Sequence, residues 1–301
     1  MTYPSEVRIF EVGARDGLQN EKQMVPVDVK VELIERLVDA GVSAIETGSY
    51  VSPKWVPQMA DTADVMAKLS RKDGVTYAVL TPNMRGYEGA LASNANEIEI
   101  FSAASELFNL KNINCSIAES LERFSPVTDA ARAEGIPYRA SVSCALGSPF
   151  GDEITPAAVA DICKKLYGMG AYEVSIADTI GVGNPVRTKQ VIEAVANVIP
   201  LEVIGVHFHD TYGQALANYH AALEMGIARL DSSVAGLGGC PYAPGATGNV
   251  ATEDVVYMLD GMGIDSGIDL KKLVKTAWFI SDYLGRAPVS SVARALKGKI
   301  N

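Results

Sequence analysis

The sequence has no excess of basic residues. Its 301 residues include 26 lysines and arginines against 36 aspartates and glutamates, so the formal net charge is −10 and the pI is near 4.9. A protein that binds nucleic acid usually presents a basic face that displaces the counterions around the phosphates. The composition therefore argues against a nucleic-acid partner, and an anionic substrate would have to find positive charge locally.

Long apolar runs are also missing. No stretch approaches the roughly 18 consecutive apolar residues of a membrane-spanning helix, and the opening MTYPSEVRIF lacks the charged and apolar regions of a signal peptide. We therefore expect a cytoplasmic protein without a membrane partner.

Cysteine is scarce and scattered. The four cysteines form no CxxC pair and are far apart; they are Cys115, Cys144, Cys163 and Cys240. This spacing fits neither a disulfide framework nor a zinc ribbon. We expect reduced thiols, with the first three acting as small buried apolar side chains.

What is present is a regular alternation of short β-rich runs and longer amphipathic segments. Eight runs have the composition of strands: 7–12, 43–47, 75–80, 97–101, 138–144, 172–177, 202–208 and 228–234. Helix-like segments follow them, among them 28–40, 155–169 and 212–226. Eight consecutive βα units close most economically into a TIM-type (β/α)8 barrel, with a doubly wound sheet as the alternative fold.

The barrel prediction makes the whole chain, residues 1–301, one catalytic domain. Within it, residues 264–301 form a C-terminal helical extension that includes the helix-like segment 270–285.

Chemically capable side chains fall where the predicted strands end. They are Arg15 and Asp16 after the first strand, Glu46 at the end of the second, Asp178 after the sixth, and His207 and His209 on the seventh. The carboxyl ends of barrel strands share one face, so these residues are expected to meet in one active-site mouth. The amino ends of the strands are expected to carry no comparable set.

The pair His207 and His209 suggests a metal site. The period of two in a strand places both imidazoles on one face and Phe208 on the other, and two of only three histidines lie here. A hydrogen-bonded pair of core histidines is the simpler alternative. With Asp16 as a carboxylate from across the barrel and Asn249 as a further amide oxygen, the donors suit Mg²⁺ or Mn²⁺, while Zn²⁺ and Fe²⁺ stay open.

A glycine-rich segment, GLGGCPYAPGATG at 236–248, follows the last predicted strand. It is typical of a long loop on the active face of a barrel. Cys240, between Gly239 and Pro241, is a candidate proton donor. Arg15 is either a salt-bridge partner of Glu46 or a stabiliser of a developing enolate oxygen.

Five motifs together resemble the 3-hydroxy-3-methylglutaryl-CoA lyase family. They are GARDGLQNE (13–21), ETGSYVSPKWVPQ (46–58), ADTIGVG (177–183), HFHDT (207–211) and SVAGLGGCPY (233–242). The first and fourth indicate only the wider group of metal-dependent carbon–carbon lyases and Claisen-type synthases on this barrel, whereas the glycine–cysteine loop is more specific.

The resemblance implies cleavage of 3-hydroxy-3-methylglutaryl-CoA to acetyl-CoA and acetoacetate, in leucine catabolism and ketone-body formation. It implies a divalent ion held by Asp16, His207, His209 and Asn249, and a homodimer. Around the substrate it implies Arg15, Glu46, Asp178 and Cys240. The base that takes the hydroxyl proton is not assigned. Asp16 and His207 are the first candidates, and Asp178 ranks after them.

Three alternatives stay open at this stage. Tyr50 stands where relatives often carry Phe, and Ala14 replaces a frequent Pro, so a related 3-hydroxy-3-alkylglutaryl-CoA is an alternative substrate. A Claisen-type acyl-CoA synthase and a catalytically silent acyl-CoA-binding barrel are the other two. Three lysines are candidates for the CoA groove by position only, namely Lys22, Lys54 and Lys111.

Overall fold

The computed structural model describes residues 3–239 and 248–299, and it contains a closed barrel of eight parallel strands. Each strand pairs with the next along the chain, and the last pairs with the first, so the predicted (β/α)8 barrel is confirmed. The strands are β1 (Arg8–Glu11), β2 (Ala44–Ser49), β3 (Thr76–Leu80), β4 (Glu97–Ala103), β5 (Tyr138–Ser143), β6 (Glu173–Asp178), β7 (Ile204–Phe208) and β8 (Arg229–Ser232).

Helices cover the outside of the barrel. They are α1 (Val27–Asp39), α2 (Thr62–Lys68), α3 (Met84–Ala92), α4 (Glu106–Ile113), α5 (Ile117–Ala133), α6 (Pro156–Met169), α7 (Pro185–Ala196), α8 (Ala215–Glu224), α9 (Thr252–Met262), α10 (Leu270–Tyr283) and α11 (Ser291–Leu296). Short helical turns occur at Gly13–Gly17, Pro57–Met59, Leu201–Val203 and Val234–Gly236.

Local sequence signals explain where these helices begin and end, and α6 is an example. The Thr155 hydroxyl accepts from the backbone N–H of Ala158 at 3.2 Å, and Pro156 occupies the first helical position, where no N–H is needed. The helix stops at Gly170, whose φ of 111° is the left-handed conformation that glycine tolerates. The predicted helix 155–169 is confirmed within one residue.

The two C-terminal helices lie outside the eight βα units. Helix α10 packs against α1, where the Arg36 guanidinium lies 4.5 Å from the centre of the Phe279 ring. Over residues 3–239 and 248–299, none of the helices combines the length and the apolar composition that a membrane crossing requires.

A buried layer of charged residues lies inside the barrel, in the amino-terminal halves of the strands. It contradicts the expectation that the amino ends of the strands carry no set of chemically capable residues. Arg139 on β5 is fully buried and is in register with Glu99 on β4 and Glu173 on β6. The alternation of strand side chains points these residues inward, where three carboxylates compensate the charge of Arg139.

Candidate metal centre and active site

The turn that follows β1 positions Arg15 and Asp16. Residues Gly13–Gly17 form one turn of π-helix, which places both side chains at the carboxyl-terminal mouth of the barrel. The turn packs against the segment after β8, because glycine leaves no side chain in the way. A Cβ on Gly17 would lie 2.8 Å from Cβ of Leu237 and 2.8 Å from Oγ of Ser233.

The His207 and His209 side chains meet on one face, as the strand period predicts. Their ring centres are 5.2 Å apart. Phe208 between them is buried on the opposite face, where its ring centre lies 4.9 Å from that of Tyr219 on α8. The imidazoles therefore face the barrel interior, and the aromatic ring faces the helical layer.

Asp16 completes a three-residue donor set with the two histidines. One ligand atom from each of Asp16, His207 and His209 can be chosen so that all lie within 4.8 Å of one another. Asp16 Oδ2 is 4.0 Å from Nε2 of His209. Two imidazoles and a carboxylate at this spacing fit a divalent cation.

The electrostatics favour the protonation states that a cation requires at Asp16 and His209. At His207, burial favours the neutral ring, but the neighbouring Asp231 outweighs it and raises the pKa. Burial opposes the charge on Asp16, but Arg15 and the two histidines outweigh it and lower its pKa to about 2. Burial and the neighbouring His207 lower the pKa of His209 to about 4. At neutral pH the carboxylate is therefore ionised and the His209 imidazole is neutral, and these are the forms that bind metal.

Asn249 lies against this donor set. The residue is 3% exposed, and its amide nitrogen donates to Asp16 Oδ2 at 2.8 Å and to the Leu237 carbonyl at 3.2 Å. A backbone bridge between His209 and Asn249 brings the segment beyond the glycine-rich loop back to the barrel mouth. Since the amide nitrogen is engaged, the amide oxygen is the atom that could act as a ligand.

Arg15 is held by two carboxylates. Its Nε lies 2.6 Å from Glu46 Oε2, and its Nη1 donates to Asp16 Oδ1 at 2.8 Å. Glu46 is fully buried inside β2, which continues for three more residues to Ser49, whereas the sequence predicted it at the end of this strand. The predicted contact between Arg15 and Glu46 therefore exists, and it fixes a guanidinium beside the donor set.

Asp178 is at the end of β6 but is directed into its own turn. The side chain is fully buried, and its two oxygens accept from the backbone N–H groups of Val182 at 3.1 Å and Gly183 at 2.8 Å. Burial raises the pKa of this carboxyl to about 6, although the backbone hydrogen bonds oppose the shift.

A cavity of about 990 Å³ opens above the donor set. It is lined by Arg15, Asp16, His207 and His209, and farther out by Lys22 and Lys111. The third candidate lysine, Lys54, is not among the described lining residues. Cys240 lies outside the described residues.

Tyr50 points away from this cavity. A Cβ on Gly89 of α3 would lie 2.6 Å from the Tyr50 ring, and one on Gly86 would lie 3.3 Å from its Cβ. The aromatic ring therefore packs on α3, and the described part of the cavity does not include it.

Sequence reasoning did not select Asp231 on β8, which contacts His207. Its Oδ2 lies 3.2 Å from His207 Nδ1. The available signal was the charged residue inside an apolar strand in ARLDSSV (228–234). The alternation of that strand places Asp231 on the inner face, in register with His207.

Comparison with known sequences assigns the chain to a family. The HMGL-like family model matches residues 6–280. Hydroxymethylglutaryl-CoA lyase, mitochondrial, from Gallus gallus is 56% identical over 293 residues, which cover 97% of this chain and 98% of the relative. Relatives named mitochondrial and relatives named cytoplasmic both match.

Solved structures agree over the same span. Hydroxymethylglutaryl-CoA lyase from Pseudomonas aeruginosa superposes with a TM-score of 0.97 at 54% identity, covering 99% of this chain and 100% of that one. An HMG-CoA lyase from Acinetobacter baumannii, solved in complex with coenzyme A and 3-methylmalate, gives a TM-score of 0.94 at 35% identity and covers 99% and 98%. The chain therefore belongs to the HMGL-like family, and the relatives compared above are named hydroxymethylglutaryl-CoA lyases.

Proposed function

We propose that the protein is a divalent-cation-dependent carbon–carbon lyase that cleaves 3-hydroxy-3-methylglutaryl-CoA to acetyl-CoA and acetoacetate. The observation that carries this proposal is the donor set of Asp16, His207 and His209 with Arg15 beside it, at the base of one large cavity. Family membership over residues 6–280, with a relative that covers 97% of the chain, supports the same reaction.

Asp16, His207 and His209 hold the cation, and Asn249 supplies its amide oxygen as a fourth donor. A bound Mg²⁺ or Mn²⁺ supplies positive charge that lowers the pKa of the tertiary hydroxyl of the substrate. Mg²⁺ and Mn²⁺ are favoured because the site offers oxygen and imidazole donors and no described thiolate.

Arg15 stabilises the second charge that develops. Breaking the C2–C3 bond leaves an enolate on the thioester oxygen, and a guanidinium fixed in place stabilises such an oxygen without reorganising. Glu46 and Asp16 hold Arg15 in one orientation, because Glu46 forms an ion pair with Nε and Asp16 accepts a hydrogen bond from Nη1 of the same guanidinium. The ion pair with Glu46 therefore orients the Arg15 guanidinium toward the position of the enolate oxygen.

The remaining roles concern protons. Asp16 and His207 are the candidates for taking the hydroxyl proton, whereas Asp178 holds the turn after β6, because the backbone N–H groups of that turn occupy both of its oxygens. Cys240 protonates the enolate, as the sequence predicts.

The CoA portion of the substrate lies toward the outer rim of the cavity, at Lys22 and Lys111. Both lysines line the cavity, and both are exposed, so they can meet phosphate groups without a large desolvation cost. We further propose that the chain acts as a single catalytic domain, forms a homodimer and resides in the cytoplasm.

The test is incubation of the purified protein with 3-hydroxy-3-methylglutaryl-CoA and Mn²⁺ or Mg²⁺, with and without chelator, while acetoacetate is followed. We expect cation-dependent acetoacetate and an intact acetyl thioester. In a parallel incubation with acetyl-CoA and a 2-oxo acid, release of free CoA thiol would instead indicate the synthase. Binding of the acyl-CoA without turnover, equal in metal-free and metal-loaded protein, would indicate a silent barrel.

Substrate range is tested in the same assay with longer 3-alkyl analogues. Because Tyr50 packs on α3 and not in the described cavity wall, we expect the methyl substrate to be preferred. Equal kcat/KM for a longer analogue would contradict this, since one methylene in a fitted pocket changes the barrier by about 1–3 kcal/mol.

A further inference from the structure

A buried carboxylate lies directly behind one of the proposed metal ligands. His207 on β7 and Asp231 on β8 are register partners, so their side chains project to the same side of the barrel wall. Asp231 Oδ2 is 3.2 Å from His207 Nδ1. Asp231 is only 3% exposed. The contact therefore occupies one ring nitrogen of His207 and leaves Nε2 as the nitrogen for the cation.

Asp231 is held in place from the other side by Arg139. One guanidinium nitrogen, Nη2, donates to Asp231 Oδ1 at 2.8 Å and to Oδ2 at 2.9 Å. Ser175 Oγ donates to Oδ2 at 3.3 Å. Asp231 Oδ2 therefore already has two donors before His207 is counted, and its position is fixed independently of the imidazole.

Neutralising Arg139 does not by itself require Asp231. Glu173 Oε1 lies 2.9 Å from Arg139 Nη2, and Glu99 Oε2 lies 3.7 Å from Nη1. Both glutamates sit in register with Arg139 on the neighbouring strands. Among these three carboxylates, only Asp231 also contacts a histidine of the donor set.

We propose that Asp231 is a positioning residue for the metal centre, which accepts a hydrogen bond from His207 Nδ1–H and so keeps the His207 lone pair on Nε2. A metal-ligating histidine commonly donates its second N–H to a carboxylate, and that contact fixes both the tautomer and the ring orientation. The series of contacts from Arg139 to Asp231 and from Asp231 to His207 thus fixes the orientation of His207, a proposed metal ligand.

The structure predicts what an amide does in place of this carboxylate. In Asp231→Asn, the amide oxygen takes the Oδ1 position and keeps the shorter hydrogen bond from Arg139, because a guanidinium can only donate; the second one, to Oδ2, is lost. The amide nitrogen then faces His207 Nδ1 and turns it into an acceptor. The proton moves to Nε2, where it blocks the lone pair that the cation needs.

The first test uses the unmodified protein without metal. The chain has only three histidines, so ¹⁵N-labelled imidazoles give a short spectrum that His207→Gln assigns. On the alkaline plateau of its titration, we expect His207 as the Nδ1–H tautomer. A predominant Nε2–H tautomer would overturn the proposal, and this measurement does not depend on any variant folding.

The second test compares Mn²⁺ affinity between two isosteric variants. Asp231→Asn should raise the Kd for Mn²⁺ by roughly 10–100-fold and shift His207 to the Nε2–H tautomer. Glu173→Gln is the matched control, because it removes another buried carboxylate from Arg139 without contacting the His207 ring. Glu173→Gln should leave the Kd for Mn²⁺ within about threefold of the wild-type value. Equal losses in both variants, or an unchanged Kd in Asp231→Asn, would overturn the proposal.

This inference rests on the proposed cation site, but its failure can be told from failure of the proposed function. The tautomer is read without substrate and without metal. A wild-type protein that shows the Nδ1–H tautomer and binds Mn²⁺, yet produces no acetoacetate, would contradict the lyase proposal and support the role of Asp231.

Discussion

At the scale of single residues, Arg15 shows how much depends on the shape of a side chain and not on its charge. Its guanidinium reaches Glu46 through Nε and Asp16 through Nη1 at the same time. Lysine carries one nitrogen and cannot span both partners. We therefore expect Arg15→Lys to lower kcat by roughly 10²–10³-fold, about 3–4 kcal/mol in the barrier, as for loss of an oxyanion-hole donor.

The control for this substitution is Arg36→Lys. Arg36 lies on α1, is exposed, and pairs with Glu32 one helical turn away. Steady-state kinetics should show an unchanged kcat in this variant. Near-normal turnover by Arg15→Lys would contradict the proposal that Arg15 stabilises the enolate oxygen.

Glu253 is a buried carboxyl that makes stability depend on pH. It is fully buried, and its Oε1 accepts from the backbone N–H of Ala235 at 2.8 Å, which supports the segment after β8. Burial raises the pKa of Glu253 from 4.5 to about 8. The unfolded chain therefore loses this proton well before the folded protein does.

The sign of the effect follows from linkage. The stability contributed by Glu253 is full below its unfolded pKa of 4.5 and is lost as the pH rises through about 8. Glu253→Gln, which cannot ionise, should therefore show a smaller fall in the free energy of unfolding between about pH 5 and about pH 9. Urea unfolding at the two values measures this, with the exposed Glu193→Gln as a control. Parallel profiles for wild type and Glu253→Gln would contradict the assignment.

At the scale of elements, the π-helical turn Gly13–Gly17 is the part that positions Arg15 and Asp16. A Cβ on Gly17 would lie 2.8 Å from the Leu237 side chain and 3.3 Å from the Leu237 carbonyl. Gly17→Ala must therefore displace the turn, at a cost of about 1–3 kcal/mol. We expect weaker Mn²⁺ binding together with lower stability, measured by metal titration and urea unfolding.

Gly168→Ala provides the matched comparison within a regular helix. Gly168 lies in α6, and a Cβ there would meet no atom within 4 Å. Alanine should raise stability by up to about 1 kcal/mol because it reduces backbone entropy loss in the helix. An equal Kd for Mn²⁺ in both glycine variants would contradict the role given to the turn.

The strands and several helices could be predicted because their patterns are local. All eight predicted strands occur, within three residues at each end, because apolar and β-branched runs between turn residues need no tertiary information. The turn after β1 could not be predicted as a π-helix. Its geometry depends on contacts with Ser233 and Leu237, more than 200 positions away in the chain.

The site residues also divide into those that local patterns predict and those that depend on contacts between distant parts of the chain. His207, His209 and Asp16 could be found from residue type and from their place at strand ends, and the structure brings them together. The pairing of Arg139 with Asp231 was not predicted, although each is a charged residue inside a predicted strand. A charged residue within a strand is ordinarily assigned to the solvent-facing side, and only closure of the barrel places both inside, within hydrogen-bonding distance across the interior.

At the scale of the whole molecule, the proposed metal centre brings together distant parts of the chain. Asp16 follows the first strand, His207 lies in the seventh, and Asn249 lies beyond the eighth, yet Asp16 contacts Asn249 and lies near both histidines. An unfolded chain has no such preformed site. A cation that binds only the folded protein must therefore stabilise the whole barrel.

We therefore expect Mn²⁺ to raise the melting temperature in a concentration-dependent way. At a free concentration about 100 times the Kd, the stabilisation is about 2.7 kcal/mol, which corresponds to a shift of several degrees for a domain of this size. His207→Ala should abolish the shift. His220→Ala should retain it, because the third histidine lies on α8 and contacts Tyr3 instead. Scanning calorimetry over a Mn²⁺ series measures this, and an equal shift in both variants would place the cation elsewhere in the molecule.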